Sequence, residues 1–251
     1  MLDFLKPPVV AVQEFFLLAG RTFRNLFRRP HYAGDIFLQM DTIGVGSLPI
    51  VSLIGFFTGA VMGMQMSKAL QQYGAVGQTG QLVALTMVRE LGPVLTAVVV
   101  AGRNAAGMAS ELGSMKVTEQ IDAMRALGTD PVQKLVKPRL IATAVVLPLL
   151  TIIADFVGLF GGFVIAYFFL NLSPAQYWNN AWQSLEYLDV SFGLLKPFVF
   201  AFVVALTGCY YGLSTTGGTQ GVGRSTTQAV VSSIILIFVM NLFITRIYVS
   251  L

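Results

Sequence analysis

The run LIATAVVLPLLTIIADFVGLFGGFVIAYFFL (140–170) contains a single charged residue, Asp155. A helix needs about 20 mostly apolar residues to cross hydrocarbon roughly 30 Å thick. This run exceeds that length, which leaves it room to tilt or to project beyond the bilayer. Four further stretches qualify, at about 46–68, 81–102, 192–213 and 228–248. All are solid apolar runs and none alternates in ten-residue segments, which argues against an outer-membrane barrel. The chain as a whole agrees: 55% of its 251 residues are hydrophobic and 11% are charged, against roughly 25% charged in an ordinary soluble domain. Too little polar material remains to coat a globule. A soluble enzyme, a disordered chain and a nucleic-acid-binding module are excluded, despite the formal charge of +4. Cys209 is the one cysteine and lies in an apolar run, so there is no disulfide framework and no CxxC pair. His31, the lone histidine, cannot build a zinc site, and no cofactor is expected. The fold expected is an all-α integral membrane protein with five transmembrane helices.

Lysines and arginines orient the spans. The N-terminal 45 residues carry Lys6, Arg21, Arg24, Arg28 and Arg29. The 103–139 connection carries Arg103, Lys116, Arg125, Lys134, Lys137 and Arg139, and Arg224 lies in the 214–227 loop. The connections at 69–80 and 171–191 carry none, and the second holds Glu186 and Asp189. The N-terminus and the long middle connection are therefore expected in the cytoplasm and the C-terminus on the far side.

Residues 1–45 form an N-terminal region ahead of a five-span domain at 46–251. The apolar core near Val9–Ala19 is interrupted by Gln13 and Glu14, and no small-residue cleavage pattern follows, so it does not read as a signal peptide. From Val9 to Arg29 the pattern is an amphipathic helix with a basic end, suited to the cytoplasmic interface and its anionic head groups. A sixth, half-buried span is the alternative.

Gly55, Gly59 and Gly63 place a small residue at every fourth position of the first span, and Gly158 and Gly162 repeat the spacing in the third. Lipid supplies no hydrophobic drive between helices, so close backbone approach is how such faces bind. The partner is either another span or a second copy of the chain. Met62, Met64 and Met66 end the first span with adaptable side chains, as core or as a soft apolar surface.

The second span is interrupted by Arg89-Glu90-Leu91-Gly92-Pro93. Two charges near mid-membrane each cost at least ~2.5 kcal/mol on insertion scales. Pro93 cannot donate to the carbonyl of Arg89. A kinked, charged site of this kind faces a cavity or a partner, not lipid tails. Two readings stand, substrate contact and structural pairing with Asp155 or Lys196, and they can coexist.

In the 103–139 connection, Met108, Leu112 and Met115 recur at helical spacing, as do Ile121, Met124 and Leu127, with Glu111, Lys116, Glu119, Asp122 and Arg125 between them. Thr118 is the expected N-cap of a short amphipathic helix, and Gly128 before Asp130-Pro131 its stop. Its mixed charge fits docking of a soluble partner. The segment Gly218-Thr219-Gln220-Gly221-Val222-Gly223-Arg224-Ser225 is one residue away from a P-loop. Spans on either side leave no room for a nucleotide-binding sheet, and 214–227 is read as a flexible cytoplasmic turn.

These residues resemble the MlaE/YrbE family, the permease subunits of MCE-associated ABC phospholipid transporters. The densest match is VRELGPVLTAVVVAGRNAAGMASELGSMKVTEQIDAMRALGTDP (88–131), with LPLLTIIADFVGLFGG (147–162) and GGTQGVGRSTTQAVV (217–231) also similar. The resemblance implies a homodimer in the bacterial inner membrane, each copy with an N-terminal interfacial helix, five spans and a cytoplasmic coupling helix around Ser110–Leu127. Glu111, Met115, Glu119, Ile121, Asp122, Met124 and Arg125 would meet a cytoplasmic ABC ATPase, and a periplasmic MCE-domain protein would exchange phospholipid. Carried over by position, Gln65, Tyr73, Arg89, Glu90 and Lys196 would line the lipid pocket between the copies. Asn241 stands where some relatives have a carboxylate. A stand-alone carrier, coupled to protons through Glu90, is the alternative from another class.

Overall fold

The computed structural model of the chain describes residues 6–26, 28, 30 and 32–250, with side chains from Val10 onward. Arg29 and His31 lie outside the described residues. Every regular element among the described residues is helical: α1 (Lys6–Leu26), α2 (Ala33–Gln71), α3 (Val76–Val117), α4 (Gln120–Ala126), α5 (Val132–Leu170), α6 (Pro174–Gln183), α7 (Tyr187–Leu213) and α8 (Gly218–Ser250). Five of these, α2, α3, α5, α7 and α8, are long and apolar enough to cross a membrane.

The expected boundaries shift in ways that local chemistry explains. Helix α2 begins at Ala33, so residue 46 falls inside a continuous helix. Helix α3 runs on to Val117, so Met108, Leu112 and Met115 belong to the second span's own helix and not to a separate loop helix. Thr118 does not cap α4: its Oγ1 donates to the Ser114 carbonyl at 2.8 Å and closes α3. Glu119, left-handed at φ 59°, makes the break, and α4 is the short piece Gln120–Ala126. Gly128 does stop it, at φ 76°, with the Thr129 N–H returning to the Met124 carbonyl. The 214–227 stretch is not a flexible turn. Gly217 and Gly218 reverse the chain at positive φ, and α8 is helical from Gly218 onward. The 171–191 connection contains α6, capped by the Ser173 Oγ, which accepts from the Gln176 N–H with Pro174 in the first turn.

The helices contribute to two compact units. One comprises residues 44–99, 145–200 and 238–251, and its seam joins α2 to α5. A Cβ on Gly59 would lie 1.8 Å from the Gly158 carbonyl oxygen, one on Gly55 2.8 Å from that of Ala154, and one on Gly63 3.0 Å from the Gly162 Cα. The two backbones touch with no side chain between them, so this glycine face is occupied by a span of the same chain. Beside it, Val83, Ala84, Met87, Leu159 and Ala181 form a buried cluster, and the Tyr177 hydroxyl donates to the Leu159 carbonyl at 3.0 Å. Burial pushes the Tyr177 phenol above its ordinary range.

The other unit comprises residues up to 43, 100–144 and 201–237. Here α1 lays Phe15, Ala19 and Leu26 against Leu140, Phe202, Ala205 and Leu206. Its end is tied down where the Asn25 amide donates to Asp130 at 2.9 Å and Lys137 donates to the Arg28 carbonyl at 2.7 Å. Gly208 and Gly212 of α7 lie against Ala105, Ala109 and Leu112 of α3.

Gly59→Ala should destabilise the chain by about 1–3 kcal/mol, because the new methyl meets backbone that cannot swing aside. Gly20→Ala, in open space on α1, should instead be neutral or stabilising by about 0.5–1 kcal/mol. Thermal unfolding of the two variants in the same detergent checks the contrast.

Candidate functional site

The second span departs from the α-helix at Met87–Leu91, a π turn that carries Arg89 and Glu90 and closes with the Gly92 N–H on the Met87 carbonyl. Two residues later Pro93 offers no N–H, so the carbonyl of Arg89 loses its usual i+4 donor. Lys196 of α7 replaces it. Its ammonium donates to the Arg89 carbonyl at 2.7 Å, to Glu90 Oε1 at 2.7 Å and to Thr245 Oγ1 at 2.9 Å. An ammonium has three hydrogens to give, and all three are used. The Glu90 carboxylate also accepts from Thr245 Oγ1 at 2.9 Å and from Asn241 Nδ2 at 3.1 Å, both on α8. Glu90 thus accepts from three side-chain donors, one on α7 and two on α8.

Arg89 points to a second pair. Its Nε donates to Asp189 Oδ1 at 2.6 Å, the Tyr248 hydroxyl donates to the same oxygen, and the Glu186 N–H donates to Oδ2 at 3.0 Å. The guanidinium carbon lies 5.4 Å from the Tyr248 ring centroid, within range of a cation–π contact. Each pair is electrically neutral, which lowers the cost of keeping charges on membrane-length helices. Each is also asymmetric. The Asp189 and Lys196 side chains are 0% and 3% exposed, whereas those of Arg89 and Glu90 are each 37% exposed. The exposed members share a small cleft with Phe192, Lys196 and Tyr248.

Of the residues expected to line a pocket, the chain thus brings together Arg89, Glu90 and Lys196. Gln65 lies exposed on α2, and Tyr73 lies 82% exposed just past its end; neither joins the cluster within one chain. Asp155, offered as an alternative partner, pairs with neither charge. Asp189 and Tyr248 were missed, although a signal existed. Asp189 and Lys196 stand seven residues apart, as do Asn241 and Tyr248 with Thr245 between them, which puts each set on one helix face.

The residues expected to meet an ATPase lie elsewhere. Ile121 is fully buried, Met115 and Met124 are half-buried, and Met108 and Leu112 belong to the core, so most of the apolar stripe is used by the chain itself. Leu127 remains 84% exposed. Glu119 is exposed at the α3–α4 break, and Glu111 pairs with Arg139 at 2.8 Å. Asp122 bonds Lys116 at 2.8 Å and Arg125 at 3.0 Å. The Lys116 ammonium, followed by the charge of Arg125, holds the Asp122 carboxyl below its ordinary value. That clasp is present at neutral pH and is released only as the pH falls through the lowered value.

Lys196→Met should destabilise the chain by about 3–5 kcal/mol, because it strands the Glu90 carboxylate and the Arg89 carbonyl together. Lys196→Met combined with Glu90→Gln should recover a good part of the loss. A double-mutant cycle on thermal stability measures the coupling.

Residues 36–247 match the family model described as Permease MlaE. A probable ABC transporter permease protein of Rickettsia typhi is 40% identical over 236 residues, 94% of this chain and 91% of that protein. A probable ABC transporter permease protein of Synechocystis sp. is 40% identical over 230 residues, covering 92% and 88%. The intermembrane phospholipid transport system permease protein MlaE of Haemophilus influenzae is 31% identical over 244 residues, 94% of each chain. With five membrane-length helices and a match that runs almost end to end, the chain belongs to the MlaE permease family.

Proposed function

We propose that this multi-pass inner-membrane permease moves phospholipid as the membrane subunit of an ABC transporter, and that the lipid head group is read by Arg89. The observation that carries this reading is the half-exposed Arg89. Its bond to Asp189 uses Nε alone, which leaves the terminal nitrogens of the fork to grip a phosphate. The relative from Haemophilus influenzae, named for intermembrane phospholipid transport, supports the choice of cargo.

The working unit is a homodimer. Helices α2 and α8 bury the least of their apolar spans within the chain, which favours them as the faces that meet a second copy around the lipid. The pocket then takes Gln65 and Tyr73 from the first-span region and Arg89, Glu90 and Lys196 from the cluster. The charge distribution of the connections supports a cytoplasmic N-terminus and a periplasmic C-terminus, with α1 in the cytoplasmic interface. A cytoplasmic ATPase docks on the end of α3 and on α4, through Glu111, Met115, Glu119, Asp122, Met124 and Arg125, with Ile121 as the buried support of that surface. ATP binding would pull on this segment and squeeze the cavity, passing lipid to or from a periplasmic MCE-domain protein, between the inner and outer membranes.

Arg89→Lys, which keeps a cation opposite Asp189 but removes the planar fork, should lower lipid movement by about tenfold in vesicles with the ATPase, the loss of one charge-assisted contact, while the subunits still co-purify. Failure to assemble would make the fork structural and remove the head-group role. Arg125→Glu with Leu127→Ser should abolish ATPase co-purification without changing the melting temperature. Binding that survives would sink the docking surface.

A further inference from the structure

One side of α1 packs Phe15, Ala19 and Leu26 against α5 and α7. The other is left open, with Val12, Phe16 and Leu17 each more than half exposed. Beside it runs a groove of about 450 Å³, walled by Val12, Phe15 and Phe16 of α1, Tyr210 of α7, and Ile235 and Leu236 of α8. That volume falls within the range of about 300–1,000 Å³ typical of small-ligand sites. Phe16 is also in the wall of a second depression, of about 410 Å³, with Leu17, Gly20, Arg21 and Arg24. The groove and the arginines belong to one compact unit of the chain.

The two depressions differ in chemistry. Hydroxyls beside the groove are spent within the chain: Tyr211 and Ser232 bond each other at 2.8 Å, Thr207 bonds Ser233, and the Tyr210 hydroxyl donates to Glu14 at 3.5 Å. What the groove still offers is apolar surface, which fits a hydrocarbon chain. Arg21 and Arg24 stand three residues apart and so share one face of α1. Both are exposed, and neither enters an ion pair found among the described residues. Glu14, the one carboxylate of α1, is engaged with Tyr210 instead. An exposed guanidinium matches phosphate oxygens through its planar fork. A second copy of the chain would serve these arginines poorly, since α8 has no carboxylate and α2 has none beyond Asp41.

We infer that the groove and its arginines form a binding site for an anionic phospholipid, with an acyl chain between α1, α7 and α8 and the head group at Arg21 and Arg24. Two cations at one head group favour a lipid of net negative charge over a zwitterionic one, whose own cation would be set against them. A lipid seated here bridges α1 to α8 and fills the space that their side chains leave open. The site shares no residue with the cluster of Arg89 and Glu90, which belongs to the other compact unit. Its occupancy needs neither an ATPase nor lipid movement, so it stands or falls apart from the transport reading.

The test is photolabelling of the full chain in phosphatidylcholine vesicles that carry a small share of a probe lipid with a diazirine on its acyl chain. The probe is phosphatidylglycerol in one series and phosphatidylcholine in the other, and labelled peptides are located by mass spectrometry. Yields are normalised to labelling at Leu149, exposed on α5. The phosphatidylglycerol probe should label residues 11–16, 207–211 and 232–236 about tenfold more than the phosphatidylcholine probe. Arg21→Gln with Arg24→Gln should erase that preference. Equal labelling by the two probes, or a preference that survives the double variant, overturns the proposal. A groove that takes no label, together with disulfide joining of two chains through Val12→Cys, assigns it to a second copy and also overturns the lipid site. If the double variant unfolds, the comparison of the two probes on the wild type decides alone.

Discussion

The three hydrogen bonds of the Lys196 ammonium hold the charged cluster of this permease together. Hydrocarbon offers no water to a carbonyl left bare by proline or to a carboxylate, so each must find a donor inside the protein. Pro93 and Glu90 create both needs within one turn of α3, and Lys196 of α7 answers both while also reaching Thr245 of α8. Three spans are thereby held to one point. Because that requirement is met from behind, by a side chain only 3% exposed, Glu90 and its neighbour Arg89 can keep part of their surface free. A fully buried partner is what lets each half-exposed charge be kept.

The same solvent rule accounts for what could be read from sequence. Five spans were legible because crossing hydrocarbon demands length and apolarity, and both are visible residue by residue. The glycine spacing at Gly55, Gly59 and Gly63 was legible as a contact face, but its occupant was not, since the spacing would look the same against α5 or against a second copy. Arg89 and Glu90 announced themselves as charges out of place. Asp189 did not, because it lies just inside the start of α7, where an acidic residue reads as part of a polar connection.

The short-range errors share one cause. Thr118 has the chemistry of an N-cap, yet its hydroxyl bonds backward to Ser114, and a left-handed Glu119 makes the turn instead. The glycines at 217–223 resemble a loop, yet only Gly217 and Gly218 take positive φ, and the remainder are absorbed into α8. In both places neighbouring helices stabilise a geometry that local propensity alone would not choose. Gly113 lies against Thr215, and Gly212 against Leu112, so α3 and α7 shape these ends together.

The seam between α2 and α5 has a mechanical meaning. Ordinary helix contacts are cushioned by side chains that can change rotamer, so the helices can slide by small steps. Where Gly59 meets Gly158 there is no such cushion, only backbone on backbone. Sliding one helix past the other by less than a turn would drive carbonyls into Cα atoms. Small sliding steps at residues 55–63 and 154–162 are therefore costly, and the side-chain-cushioned contacts around this seam are the ones that can yield.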